Sequence, residues 1–202
     1  MSLKQPLTAL VLGLSLATAL PSFSQSQPAG ERGGVPRLPV VVGAAFSNFN
    51  IDWGRGRRMN GIEVWGDYYF YSLPSFFRFT GIEVEGRDIN FSRPQSLPKM
   101  RQDTLQGGPV VTLYNGGKFR VYGKALAGIG SIDYPSSSGK SHSTNPVYSF
   151  GGGIDYRATR AIWIRGEYDG QWWPSIFSRG TALTPAGVSI GISYNFRSLW
   201  SH

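Results

Sequence analysis

Eleven charged residues stand out by type and spacing. Glu63, Asp67, Glu83, Glu85, Asp155, Glu167 and Asp169 carry carboxylates, and Arg87, Arg120, Lys124 and Arg165 carry positive charge. Neighbouring carboxylates can share general acid and base work, but here many segments contribute and no pair stands apart. The pattern suits a buried ion-pair network better, because charges leave water only when they are paired and hydrogen-bonded. His142, flanked by Ser141 and Ser143, is a second place where a proton could move. It lies in a Ser- and Gly-rich stretch with no strand-held carboxylate expected beside it, which argues against a positioned base. The chain has no cysteine, so disulfides, thiolate metal ligation and a lipoprotein thiol are excluded. No catalytic residue, cofactor or metal site is expected.

The elements that must position these charges have a period of two. Segments 39–48, 60–71, 76–88, 104–114, 118–129, 147–157, 161–172 and 187–196 read as strands. Most are close to the roughly 9 to 11 residues that cross a bilayer when tilted. Every mid-strand charge falls on one parity. Ile62, Val64, Gly66, Tyr68 and Phe70 oppose Glu63 and Asp67, and Ile82 and Val84 oppose Glu83, Glu85 and Arg87. Val121, Ala125, Ala127 and Ile129 oppose Arg120 and Lys124. Tyr148, Phe150, Ile154 and Tyr156 oppose Ser149, Gly151, Gly153 and Asp155. Ile162, Ile164, Tyr168 and Trp172 oppose Arg165, Glu167, Asp169 and Gln171. A charge turned to lipid at midplane costs roughly 2 to 4 kcal/mol, so the charged parity must face a lumen. An interior this small is filled by its own side chains, which predicts ion pairs across it and little or no conductance.

Connections 49–59, 89–103, 130–146 and 173–186 are long, whereas 72–75, 115–117 and 158–160 are tight. That alternation is the mark of short periplasmic turns and longer outer loops. Asn115, Gly116 and Gly117 make a hairpin turn on their own account, since Asn and Gly tolerate positive φ. Tyr68, Phe70, Tyr156, Tyr194 and Phe196 gather at the short-turn rim, with Tyr148 and Trp172 at the opposite rim, as two aromatic girdles require.

Residues 1–24 read as a secretory signal peptide. Lys4 precedes an apolar run over 7–20, shorter than the roughly 20 residues of a spanning helix, and small residues follow at Ser22 and Ser24. Residues 25–38 are a polar Gly- and Pro-containing lead-in, 39–196 the barrel, and 197–202 a short extension. The fold class is therefore all-β, an eight-stranded antiparallel up-and-down transmembrane barrel. Net charge is +8, but the excess lies in the long loops, which argues against nucleic acid as partner. Arg55, Arg57 and Arg58 sit in the first loop, Arg93, Lys99 and Arg101 in the second, Lys140 in the third and Arg179 in the fourth. Arginine forks there suit lipid phosphates and acidic glycans.

With its paired Gly-Ile-Glu-Val-x-Gly strands, its Gly151-Gly-Gly-Ile-Asp-Tyr156 strand and its alternating last strand, the chain resembles the OmpA-like, porin-family eight-stranded outer-membrane barrels. The resemblance implies an assembly signal at Ser189, Gly191, Tyr194 and Phe196, here followed by Arg197 to His202. It also implies location in the outer membrane of a Gram-negative cell envelope and insertion by the barrel assembly machinery. Outer-membrane lipid and lipopolysaccharide are the expected surroundings, and a monomer is expected. The chain ends soon after the last strand, so a C-terminal peptidoglycan-binding domain is not expected. The role expected is structural or surface-interacting. The alternatives are a small-solute pore, a lipid A-modifying outer-membrane enzyme and a soluble secreted ligand-binding barrel.

Overall fold

A chain that alternates apolar and polar residues over each strand has one face for each of two environments, and closing the sheet on itself assigns them. The computed structural model describes residues 40–52, 58–70, 79–91, 101–136, 139–176 and 181–196, all within the unit Pro36–His202. The expectations for 1–24, 25–38 and 197–202 lie outside the described residues.

The strands are β1 (Val40–Asn50), β2 (Arg58–Tyr69), β3 (Thr80–Phe91), β4 (Arg101–Gly116), β5 (Phe119–Ser136), β6 (Gly139–Arg157), β7 (Ile162–Ile176), β8 (Thr181–Leu183) and β9 (Ala186–Asn195). Every pairing is antiparallel. β1 to β7 follow one another as a meander, β7 pairs with β9, and β9 pairs with β1 from Val41↔Asn195 to Asn50↔Ala186. The result is a closed barrel of eight staves. The three-residue β8 is an addition that folds back on β7 through Trp173↔Leu183.

Faces divide by chemistry. Ile62 and Val64 are 49% and 53% exposed while Glu63 between them is 0% exposed, so the apolar side is the outer side. That inversion of an ordinary soluble core is what lipid as solvent demands. Ring pairs Tyr68–Phe70, Phe119–Tyr156 and Tyr194–Phe196 mark the short-turn end, and Tyr148–Trp172 the other. Among the described residues no helix is long and apolar enough to cross a membrane; the crossing elements are strands.

Several boundaries differ from expectation. Residues 130–146, expected as a long loop, are mostly strand: β5 continues to Ser136 and β6 begins at Gly139, in unbroken register from Phe119↔Tyr156 to Ser136↔Gly139. Alternation persists there with Ile132 and Val147 turned inward, but Ser and Thr in the polar positions hide it. β7 likewise runs to Ile176, β4 starts at Arg101, and β3 begins at Thr80 rather than at residue 76. The tight turn expected at 115–117 is made by Gly117 and Lys118. Asn115 pairs with Arg120 and Gly116 with Phe119, and Gly117 holds the positive φ of 58° that the two-residue turn needs.

Candidate functional site in the barrel lumen

β2 offers Glu63 and Asp67 inward and β3 offers Glu83, Glu85 and Arg87, each at alternate positions. Arg120 and Lys124 come from β5, Asp155 from β6, and Arg165, Glu167 and Asp169 from β7. All eleven are buried. Register alone places three opposite-charge pairs side by side: Glu63↔Arg87, Arg120↔Asp155 and Asp155↔Arg165. The other links span the lumen. Lys124 Nζ donates to Glu83 at 2.8 Å, Glu85 at 2.5 Å and Glu167 at 2.7 Å, which uses all three ammonium protons. The Arg165 guanidinium reaches Asp155 at 2.9 Å, Glu83 at 3.1 Å and Asp67 at 2.8 Å, one nitrogen to each carboxylate. Arg87 holds Glu63 at 2.8 Å and Asp169 at 2.5 Å, and Arg120 holds Asp155. Through Glu83, which binds both Lys124 and Arg165, the halves join into one network.

Aromatic rings cover each arginine. Phe49 lies 4.3 Å from Arg87, Tyr69 4.9 Å from Arg120, and Trp65 and Tyr122 4.4 and 4.5 Å from Arg165. A desolvated guanidinium over a ring gains about 2 kcal/mol or more, and the ring also keeps water from the ion pairs. Tyr122 donates its hydroxyl to Glu167, and Tyr69 donates to Asp67 at 3.2 Å. Beyond the charges are apolar layers. Phe49, Ile51, Met59 and Ile89 form one cluster at the long-loop end, and Ile132, Val147, Trp173 and Leu183 a second. Val41, Tyr69, Val110 and Tyr122 form a third at the short-turn end. Trp173 lies so close over Gly130 that an added Cβ there would fall 2.1 Å from the indole, so only glycine admits the ring.

No charged residue marks these apolar layers and ring covers in the sequence. Their signal is the same inward parity carried on past the last charge of each strand, from Glu63 to Met59 and from Arg87 to Ile89. Ser189, expected only as assembly signal, points into the lumen. Its hydroxyl donates to Glu63 Oε2 at 2.7 Å and meets Ser47 Oγ at 2.7 Å, stitching β9 to β1 and β2 where the barrel closes. Gly191 shares its inward parity, whereas Tyr194 and Phe196 pack ring on ring on the outer parity. Of the loop cations, Arg58 donates to Asn48 at 2.5 Å and Arg101 bridges Asp88 at 3.1 Å and Asp103 at 2.8 Å. The structure therefore keeps those two apart on different strand pairs. Arg55, Arg57, Arg93, Lys99 and Arg179, and the side chain of Lys140, lie outside the described residues.

His142 requires a correction. A strand-held carboxylate does stand beside it: Asp133 on β5 lies directly across from it, 2.8 Å from Nδ1, while Nε2 is 3.1 Å from Thr144 Oγ1. The long-loop expectation hid this, because only the extended β5–β6 pairing brings Asp133 and His142 into register.

Several solved structures share this architecture. Neisserial surface protein A is 12% identical, with 77% of this chain and 95% of that chain covered and a TM-score of 0.59. The N-terminal barrel domain of Pseudomonas aeruginosa OprF is 13% identical, covering 78% and 97%, with a TM-score of 0.52. Ail, the attachment invasion locus protein of Yersinia pestis, is 15% identical, covering 77% and 95%, with a TM-score of 0.50. At such identities the likeness concerns the fold. No curated protein matches the chain. Residues 15–196 match the family described as the outer membrane protein beta-barrel domain. With apolar residues turned out, charges turned in and a match that spans every strand of the barrel, the chain belongs to that outer-membrane β-barrel family.

Proposed function

We propose that the protein is a non-conducting outer-membrane barrel with a structural or surface-interacting role, delivered by a cleaved signal peptide and inserted by the barrel assembly machinery. The observation that carries this reading is the layering of the lumen, a buried ion-pair network between apolar clusters at both ends. Ions and small polar solutes meet desolvation at each apolar layer and fixed charges between them. Purified barrel reconstituted in planar bilayers is expected to give absent or very small conductance. A large steady conductance of the size of wide water-filled porins would overturn the reading.

Surface interaction would come from the basic outer loops acting on lipid phosphates and acidic glycans. Lipopolysaccharide association at low salt is expected to weaken when Arg55, Arg57 and Arg58 are all replaced by serine. A second reading, an acyl hydrolase working on the outer leaflet, is favoured by one observation, the Asp133–His142–Thr144 relay on the outer wall. It requires deacylation of lipid that His142→Ala abolishes.

A further inference from the structure

Outside the lumen, the described charges are sorted by end. Asp52, Asp88, Asp103 and Asp133 all lie toward the long loops, in company with Arg58 and Arg101. The short-turn end carries only cations. They are Lys118 in the β4–β5 turn, Arg157 at the end of β6 and Arg160 in the β6–β7 turn, all exposed. None of the three makes an ion pair among the described residues. Asp155, two residues before Arg157, is buried in the lumen and already held by Arg120 and Arg165. Charges that served solvation alone would carry both signs at both ends, whereas this rim has one sign and nothing on the protein to answer it.

The turns hold these cations in place. Arg157 N donates to Lys118 O at 2.8 Å and Arg157 Nη2 donates to Gly117 O at 3.0 Å, so the guanidinium lies against the neighbouring turn. The turn that carries Arg160 is pinned by Ala158 N and Thr159 N, which both donate to Ile162 O. Thr159 Oγ1 closes it further by accepting from Ala161 N and Ile162 N. Lys118 Nζ stands 6.0 Å from the centre of the Tyr156 ring, and Tyr156 packs on Phe119 at 5.2 Å in the outer aromatic rim. Leu113, Tyr114 and Phe119 extend that apolar surface, 69%, 59% and 51% exposed. Turns this short carry a charge little past the rings, since one extended residue spans only about 3.3 Å. The cations therefore sit at the level of lipid headgroups, with rings on one side and water on the other.

We propose that Lys118, Arg157 and Arg160 form a docking surface for anionic phospholipid headgroups, of the phosphatidylglycerol class, in the leaflet that the short turns meet. A phosphodiester matches the fork of a guanidinium, and Arg157 keeps donors free beyond the one spent on Gly117. Lys118 adds a point charge beside the Tyr156 ring. A zwitterionic headgroup brings its own ammonium and gains less from cations with no acid beside them. A second copy standing alongside in the same membrane presents the same sign at this level and is repelled. This surface lies at the opposite end from the outer loops and requires only that the barrel crosses a membrane, not that its lumen is closed.

The test is to reconstitute the full chain into bilayer nanodiscs of equal phosphatidylglycerol and phosphatidylcholine. Native mass spectrometry then counts which lipid stays on the released barrel, with folding checked by heat-modifiable gel migration. Phosphatidylglycerol is expected to be retained at least about threefold over phosphatidylcholine at low salt. The two should approach parity in about 1 M salt, where screening acts within about 3 Å. Replacing Lys118, Arg157 and Arg160 together by serine is expected to remove most of the preference. The charge-keeping set Lys118→Arg, Arg157→Lys and Arg160→Lys should preserve it, which a purely structural role of these turns would not produce. Serine at Arg55, Arg57 and Arg58 should also leave it in place. Equal retention of both lipids by the unmodified chain, or an undiminished preference in the triple serine variant at the short turns, would overturn the proposal. A preference lost only in the loop variant would do the same while leaving the surface role of the loops standing. Oligoglutamate is run as competitor. Peptide binding that depends on the three cations, without any lipid preference, would assign the surface to an acidic protein and overturn the lipid reading.

Discussion

Arg87 and Arg101 make ion pairs of nearly the same length in opposite surroundings. Arg87 meets Glu63 at 2.8 Å with both side chains 0% exposed, and Arg101 meets Asp88 at 3.1 Å with the two 44% and 41% exposed. The first lies in the lumen under Phe49. The second lies on the outer wall, in a belt of polar residues beyond the apolar band, with Asn90, Asp103, Asp133 and His142. Bond length therefore says little about consequence. In water the partners of a broken pair are rehydrated, whereas in the lumen they stay charged and dry.

The comparison breaks hardest at the cations that serve several acids. Arg165→Met takes one buried cation from Asp67, Glu83 and Asp155 at once, leaving Glu83 to Lys124 and Asp155 to Arg120, and is expected to destabilise the barrel by about 3 to 5 kcal/mol, read by urea unfolding in lipid vesicles. Lys124→Met is expected to do the same for Glu83, Glu85 and Glu167, and to permit a small cation-preferring leak in planar bilayers. If either variant is as stable as the unmodified chain, the interior is hydrated and the contrast with Arg101 disappears. Next in size is the apolar layer. Trp173→Ala removes a fully buried indole and is expected to cost about 3 kcal/mol, with faster amide exchange confined to β7, β8 and the ends of β5 and β6.

The outer belt should respond weakly. Arg101→Ala is expected to change stability by less than about 1 kcal/mol, and the change should shrink further in high salt. The smallest effect is a titration. Partial burial and then the Asp88 carboxylate opposite push the Asp103 carboxyl up to about 6 against the pull of Arg101. Because the folded value lies above the ordinary 3.8, the stability this group supplies is present below pH 4 and is lost as pH rises through about 6. Asp88→Asn should move the carboxyl midpoint down, as followed by carbon NMR. An unmoved midpoint would assign the shift to burial alone.

What the sequence determined by itself was local. Strand parity needs only neighbours two apart, so the inward set, the lipid-facing set and both aromatic rims could be read from residues such as Ile62, Glu63 and Val64. The eight staves follow from the same period, and the turn near 115–117 from Gly chemistry, shifted to Gly117 and Lys118; the turn expected at 72–75 lies outside the described residues. Tertiary structure decided everything that depends on which strands face one another across the lumen. That Lys124 serves β3 and β7 at once, that Arg165 reaches Asp67, and that Ser189 closes on Ser47 and Glu63 are consequences of stagger and closure, which no single strand encodes. The same holds for Asp133 and His142. Their register was invisible while Ser- and Gly-rich residues passed for a loop, because a short polar side chain says little about strand until a partner strand supplies its hydrogen bonds.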